Sequence, residues 1–250
     1  MYLLQKWDSK TQFSVYFCET QDLYCSMLSF FKAYKNFAIV FAIISIIIIS
    51  IIYNILNVEK PLPIYQPAQV EQELVDSTLF DVRKYHKIAD FSLINQNGKT
   101  ITQNDYKDKI YVADFFFTTC QTICPIMTDH MVKIQNETLN DDEVMLLSHT
   151  VTPEIDSVPQ LKKYTLKKGV IDNKWNLVTG DKKQIYDLAR KSYLAVKTVG
   201  DGDEFDMIHT ENFMLIDKKK QIRGFYDGTD PEAIKQLLKD IEVLKREYKK

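Results

Sequence analysis

Two cysteines in the run ADFFFTTCQTICPIMTDHM, Cys120 and Cys124, are the residues of this 250-residue chain best suited to do chemistry. Three residues separate them, one more than in the CxxC of a dithiol oxidoreductase. That spacing still permits a disulfide. It also lets two sulfurs splay around a soft ion such as Cu(I), with a third ligand arriving from elsewhere in the chain. Spacing alone leaves these chemistries open, since two cysteines this close also arise by chance. Their setting points to function. The apolar run IYVADFFF (110–117) before them reads as a buried central strand. After them Ile126, Met127, Met131, Ile134 and Leu139 fall near helical spacing. Pro125 has no N–H and is comfortable only in a first helical turn, so the helix is expected to begin at about Cys124 or slightly earlier. Both sulfurs then lie near the positive end of a helix dipole. That position favours thiolate, the form that attacks disulfides and ligates metal.

The chain has four histidines, His86, His130, His149 and His209. His209, in DEFDMIHTENFMLID, stands between an acidic, glycine-containing loop and an apolar strand. A loop reaching the sheet edge beside the cysteines would bring its imidazole within bonding distance. On the residues alone, a hydrogen-bonded surface histidine is the simpler reading. His86 and His130 read as solvated side chains, and Met127 and Met131 as core.

The elements that must position these residues alternate along the chain. DFSLINQNGKTIT reads as a hairpin, with Asn97-Gly98 tolerating positive φ in its turn. EVMLLSHT (143–150) is a second buried strand, and residues 156–168 are a helix candidate with Pro159 in its first turn. A short strand is expected at 175–178 and an amphipathic helix at 181–193, opened by an Asp cap. Residues 212–228 read as a second hairpin and 231–248 as a closing helix. This order predicts an α/β fold, a central mixed sheet with helices on both faces, on the thioredoxin-like plan.

Upstream, Phe37 to Leu56 is 20 residues with no charge, enough to span about 30 Å of hydrocarbon as a helix. Lys32 and Lys35 precede it, while Glu59, Lys60, Glu71, Glu73 and Asp76 follow. The positive-inside rule therefore predicts a single-pass cell-membrane protein, with residues 1–36 cytoplasmic and the rest on the periplasmic or extracytoplasmic side. Met27 is a second candidate start, from which the chain reads as a short basic lead and then an anchor. Pro61, Pro63 and Pro67 make residues 57–80 read as an extended tether, leaving 81–250 as one domain. Cys18 and Cys25 fall on the cytoplasmic side and read as ordinary thiols. Cys120 and Cys124 face a compartment where disulfides persist. A net charge of −2, from 32 basic and 34 acidic residues, argues against a nucleic-acid partner.

The runs FFFTTCQTICPIM, LLSHTVTPEID and IHTENFMLID resemble the SCO/SenC family of copper-binding assembly proteins, over residues 85–247. The resemblance implies a copper ion, Cu(I) or Cu(II), held by Cys120, Cys124 and His209. It implies a copper chaperone, whose partner is the copper-receiving subunit of a respiratory cytochrome c oxidase. The alternative is a thiol–disulfide reductase acting on that subunit's cysteines, with Cys120 and Cys124 as the redox pair. Two positions depart from the family pattern. Thr152 stands where many members have aspartate, and Asp206 lies three residues before His209 instead of adjacent to it. His149, two residues past the end of LL in the second run, is expected to play a structural or outer-shell role, with ligation the alternative. A peroxiredoxin would carry threonine three residues before its reactive cysteine, where this chain has Phe117.

Overall fold

The computed structural model describes residues 34–56, 60–70, 77–79, 81–196 and 210–249. The chain divides into two compact units, residues 1–60 and 61–250. In the first, helix α1 (Lys35–Leu56) has 22 residues, about 33 Å at 1.5 Å per residue. Among the described residues it is the one helix long and apolar enough to cross a membrane.

The second unit is built on seven strands: β1 (Ser92–Asn95), β2 (Thr100–Thr102), β3 (Ile110–Phe116), β4 (Val144–Thr150), β5 (Trp175–Thr179), β6 (Asn212–Ile216) and β7 (Ile222–Asp227). Their order is β2-β1-β5-β4-β3-β6-β7. The central pairs β3–β4 and β4–β5 are parallel, and the outer pairs are antiparallel. Gly98 turns the first hairpin at φ 74°, a conformation that costs a residue without Cβ little.

Strand β3 is buried along its whole length, so its two faces feed two cores. Ile110, Val112 and Phe116 face α2 (Ile123–Glu137), α3 (Val158–Lys168) and α5 (Pro231–Glu247), through Met127, Met131, Leu161, Ile234 and Leu237. Tyr111, Ala113 and Phe115 face α4 (Lys182–Asp187) and the segments around it. Helices therefore cover both faces of a mixed sheet, the thioredoxin-like arrangement expected.

Three differences from the sequence reading have physical causes. The helix expected to reach residue 193 becomes a π-turn at Leu188–Ser192, closed by Tyr193 N–H donating to Leu188 O at 2.8 Å. This wider turn places Leu188, Ala189 and Tyr193 all in the core. His86 is buried, not solvated. Its Nε2 donates to Ser192 O at 2.8 Å and its amide to Gln66 Oε1 at 3.0 Å, pinning residues 84–90 over the π-turn. Finally, residues 61–66, inside the stretch read as a tether, lie against β7 and α5. Arg223, buried with Asp217 at 3.1 Å and Glu247 at 2.6 Å, donates to Leu62 O at 2.7 Å and Pro63 O at 3.0 Å. Tyr65 N–H adds a bond to Ile222 O at 2.9 Å.

His149 is fully buried on the α4 side of the sheet, stacked on Phe115 at 4.9 Å and edge-on to Tyr193 at 5.3 Å. Its Nε2 meets no hydrogen-bond partner. Burial pushes its pKa down to about 4, against a weak bond that its Nδ1 donates to the Asp114 carbonyl. The unfolded chain therefore binds a proton between about pH 6.5 and 4 that the folded chain refuses. Stability from neutral His149 is complete above about pH 6.5 and is lost as pH falls through that window. His149→Phe is expected to remove this part of the acid sensitivity, read as the wild-type-minus-variant difference in urea midpoints at pH 7 and pH 4.5. An unchanged difference would refute the assignment.

Candidate metal site

The cysteines sit where β3 gives way to α2, at the C-terminal edge of the parallel strands. Such strand-to-helix crossings are where open α/β sheets carry their sites. The helix starts at Ile123, which places Pro125 within its first turn as its missing N–H requires. Thr122, at the N-cap, makes no side-chain capping bond. Instead Cys120 Sγ accepts the Cys124 amide at 3.5 Å and lies 3.5 Å from Thr122 Oγ1. The sulfur thus occupies the place where a capping oxygen would satisfy an orphan helix donor.

The two thiols differ sharply. Cys120 is partly buried, which raises its pKa, but bonds from Thr122 and from the Cys124 amide outweigh that and bring it down to about 7. Cys124 is 3% exposed, and burial pushes its thiol up to about 12, helped by the neighbouring Cys120 and Asp114. Cys120 is therefore about half thiolate at pH 7, while Cys124 keeps its proton. Iodoacetamide is expected to modify Cys120 with a half-maximal rate near pH 7, leaving Cys124 untouched across the neutral range. Peptide mapping of the labelled chain checks this; equal labelling of both would contradict it.

Both thiols are free, and two adjacent sulfurs, one of them readily ionised, suit a soft monovalent ion better than a hard divalent one. Among the described residues no group of three His, Cys, Asp or Glu is placed to hold a metal. His209 and Asp206 lie outside the described residues, as do Cys18 and Cys25. The register is nonetheless informative. β6 runs antiparallel to β3, with Val112 opposite Leu215 and Ala113 opposite Met214. The N-terminal end of β6 therefore lies beside the C-terminal end of β3, from which the Cys120 loop departs.

The other histidines are not brought to the thiols. His149 faces away through the sheet. His130 is not the solvated side chain expected: its Nδ1 donates to Gly228 O at 2.7 Å. Gly228 N–H in turn donates to Glu211 O at 2.6 Å, tying α2 to the approach of β6. A side chain at Gly228 would meet Phe213 at 2.7 Å and the Glu211 carbonyl at 2.8 Å, so glycine is required there. Met127 and Met131 are core, 1% and 0% exposed.

Two residues near the site escaped the sequence reading. Asp114 lies on the α2 face of β3, accepts the Ser148 hydroxyl, and is pushed by burial up to about 7. Its signal was a lone acid inside an otherwise apolar strand. Asp156 is fully buried and binds the loop between β3 and Cys120. Nothing in the local pattern TVTPEID marks it.

Comparison with known proteins accords with this geometry. Residues 81–245 match the SCO1/SenC family model. A SCO1/SenC family lipoprotein from Bacillus anthracis aligns with TM-score 0.57 and 30% identity, over 64% of this chain and 95% of that one. BsSco, described with a disulfide switch as a member of the Sco family of cytochrome c oxidase assembly proteins, aligns with TM-score 0.54 and 29% identity, over 64% and 93%. ScoI of Arabidopsis thaliana, solved with copper bound, aligns with TM-score 0.50 and 25% identity, over 62% and 97%. A reactive thiol pair at the β3–α2 crossing, on a thioredoxin-like sheet matched by that model over most of its length, leaves one conclusion: the chain belongs to the SCO1/SenC family.

Proposed function

We propose that this chain is a membrane-anchored copper chaperone. It binds one copper ion through Cys120, Cys124 and His209 and passes it to the copper-receiving subunit of a respiratory cytochrome c oxidase. The observation that carries this reading is the thiol pair at the head of α2, one sulfur about half ionised at neutral pH and the other 3% exposed behind it. The pair supplies two soft donors with one open side. The register of β6 against β3 supports His209 as the third, since Asn212, three residues after it in sequence, begins β6 at the same end of the sheet. The copper-bound ScoI relative and the oxidase-assembly family of BsSco supply the biological context. In this reading α1 spans the membrane with the N-terminus cytoplasmic, residues 57–80 connect it to the domain, and the domain at 81–250 works outside. Three-coordinate copper with an exposed edge can be attacked by a receiving protein's ligands and handed over without leaving the protein surface.

The full chain in detergent, reduced under anaerobic conditions, is expected to bind one Cu(I) per chain. His209→Ala is expected to lose affinity at least tenfold in competition with a colorimetric Cu(I) chelator. Wild-type affinity in that variant would exclude the histidine.

The thiol asymmetry also favours a second reading, a thiol–disulfide reductase. Cys120 thiolate would attack a disulfide of the oxidase subunit, forming a mixed disulfide and releasing one subunit thiolate, which takes a proton. Cys124, losing its proton, would then attack the Cys120 sulfur, release the second subunit thiolate and leave a Cys120–Cys124 disulfide. This chemistry needs no histidine. If His209→Ala still supports oxidase assembly in cells while either cysteine variant does not, the reductase reading prevails.

A further inference from the structure

We propose that Asp156 is a positioning residue for Cys120, acting through Thr118 to set the thiol's reactivity and its hold on copper. Only the copper part rests on the function proposed above.

Asp156 is 0% exposed, yet its hydrogen-bond donors are neutral: an amide and three hydroxyls. Thr118 contributes twice, its N–H to Oδ2 at 3.2 Å and its hydroxyl to Oδ1 at 2.5 Å. Thr150 donates its hydroxyl to Oδ2, as does Thr152 at 3.1 Å. Gln160 Nε2 closes the cluster by donating to Thr118 Oγ1 at 3.0 Å. A buried carboxylate among neutral partners is an expensive way to join two loops, because apolar groups of the same shape serve stability as well. What it supplies instead is direction: two bonds converge on one residue and fix its orientation.

That residue stands two before Cys120. Cys120 N–H donates to Phe117 O at 3.3 Å, so residues 117–120 form one turn. One end of the turn is clamped at Thr118 by Asp156. The other end is Cys120 Sγ, held against the Cys124 amide and Thr122 Oγ1. Those two contacts are long, at 3.5 Å each, and the sulfur keeps them only while the turn holds its place. Thr152 binds the same carboxylate from the loop after β4, and its other hydrogen bonds go to Thr150, Ile155 and the Asp156 amide, which makes it the natural control.

The test compares Thr118→Val, Thr118→Ser and Thr152→Val in the full chain in detergent. Both valine variants keep side-chain shape and remove one hydroxyl bond to Asp156. Thr118→Val is expected to slow alkylation of Cys120 at pH 7 about fivefold, because the loosened turn no longer holds Cys120 Sγ against the Cys124 amide and Thr122 Oγ1. It is also expected to weaken Cu(I) binding about 10- to 100-fold, the range of outer-shell changes. Thr118→Ser should restore both. Thr152→Val should lower the urea midpoint comparably while leaving the alkylation rate within about twofold of wild type. A wild-type alkylation rate in Thr118→Val, or an equal slowing in Thr152→Val, overturns the proposal. If wild-type chain binds no copper, the ligand assignment has failed, and the alkylation comparison still decides the role of Asp156.

Discussion

Cys120→Ser is expected to weaken Cu(I) binding by more than about a hundredfold, beyond what outer-shell changes cost. Serine offers a hard oxygen that stays protonated at neutral pH, whereas Cu(I) prefers thiolate. The substitution also removes the sulfur that accepts the Cys124 amide, and it leaves a buried thiol whose pKa stands at about 12 as the remaining soft donor. Cys124→Ser is expected to cost nearly as much but to spare the reactive thiolate of Cys120. The same asymmetry predicts the pH dependence. Above pH 7 one proton, from Cys124, must leave when the ion binds, so affinity rises about tenfold per unit. Below pH 7 Cys120 must also give up its proton, and the slope doubles. A chelator competition at pH 6, 7 and 8 checks both slopes; a flat profile would show that thiolates are not the donors.

The second large effect concerns stability. Arg223→Met is expected to destabilise the domain by about 3–5 kcal/mol, the cost of removing one partner of a buried ion pair. Arg223 and Asp217 are 5% and 1% exposed in their side chains, so neither can turn to water. Burial alone would lower the arginine's affinity for its proton, but the bonds it donates to Glu247 and Asp217 more than reverse this and hold its pKa above the ordinary value. Loss of the guanidinium strands the Asp217 carboxylate, although the amides of Lys219 and Gln221 still donate to it at 2.8 and 2.9 Å. It also frees the Leu62 and Pro63 carbonyls, so the docked segment loosens. Urea denaturation measures the loss, and protease cleavage near residue 62 reports the loosening. Replacing Asp217 as well, by an apolar residue, should recover much of the stability, because the pair together is worth little over a packed alternative.

What the sequence reveals, and what it hides, follows from the range of the forces involved. Strand β3, the Asn97-Gly98 turn and the start of α2 at Pro125 are written in neighbouring residues, through apolar runs and backbone constraints. They are therefore legible. His86, His130 and Asp156 are fixed by partners 106, 98 and 38 residues away, and no local pattern announces such bonds. Pro61 and Pro63 lie in a segment with neither helix nor strand. Whether that backbone hangs free or docks depends on Arg223, 160 residues on. His149 is placed by register as well: it pairs with Phe115 of β3, which puts it on the face opposite Val112 and Phe116, away from α2. The pairing of thiols was visible from their spacing and place, but their unequal acidity was not, since it comes from the packing of Cys124 and the exposure of Cys120.

Copper K-edge X-ray absorption of the reduced full chain carrying one equivalent of Cu(I), beside His209→Ala, probes the ligand set most directly. Two sulfurs and one imidazole nitrogen are expected around the ion, with the nitrogen scattering gone in the variant. A two-sulfur shell without nitrogen in the wild type, or an imidazole signal that survives loss of His209, would contradict the assigned site.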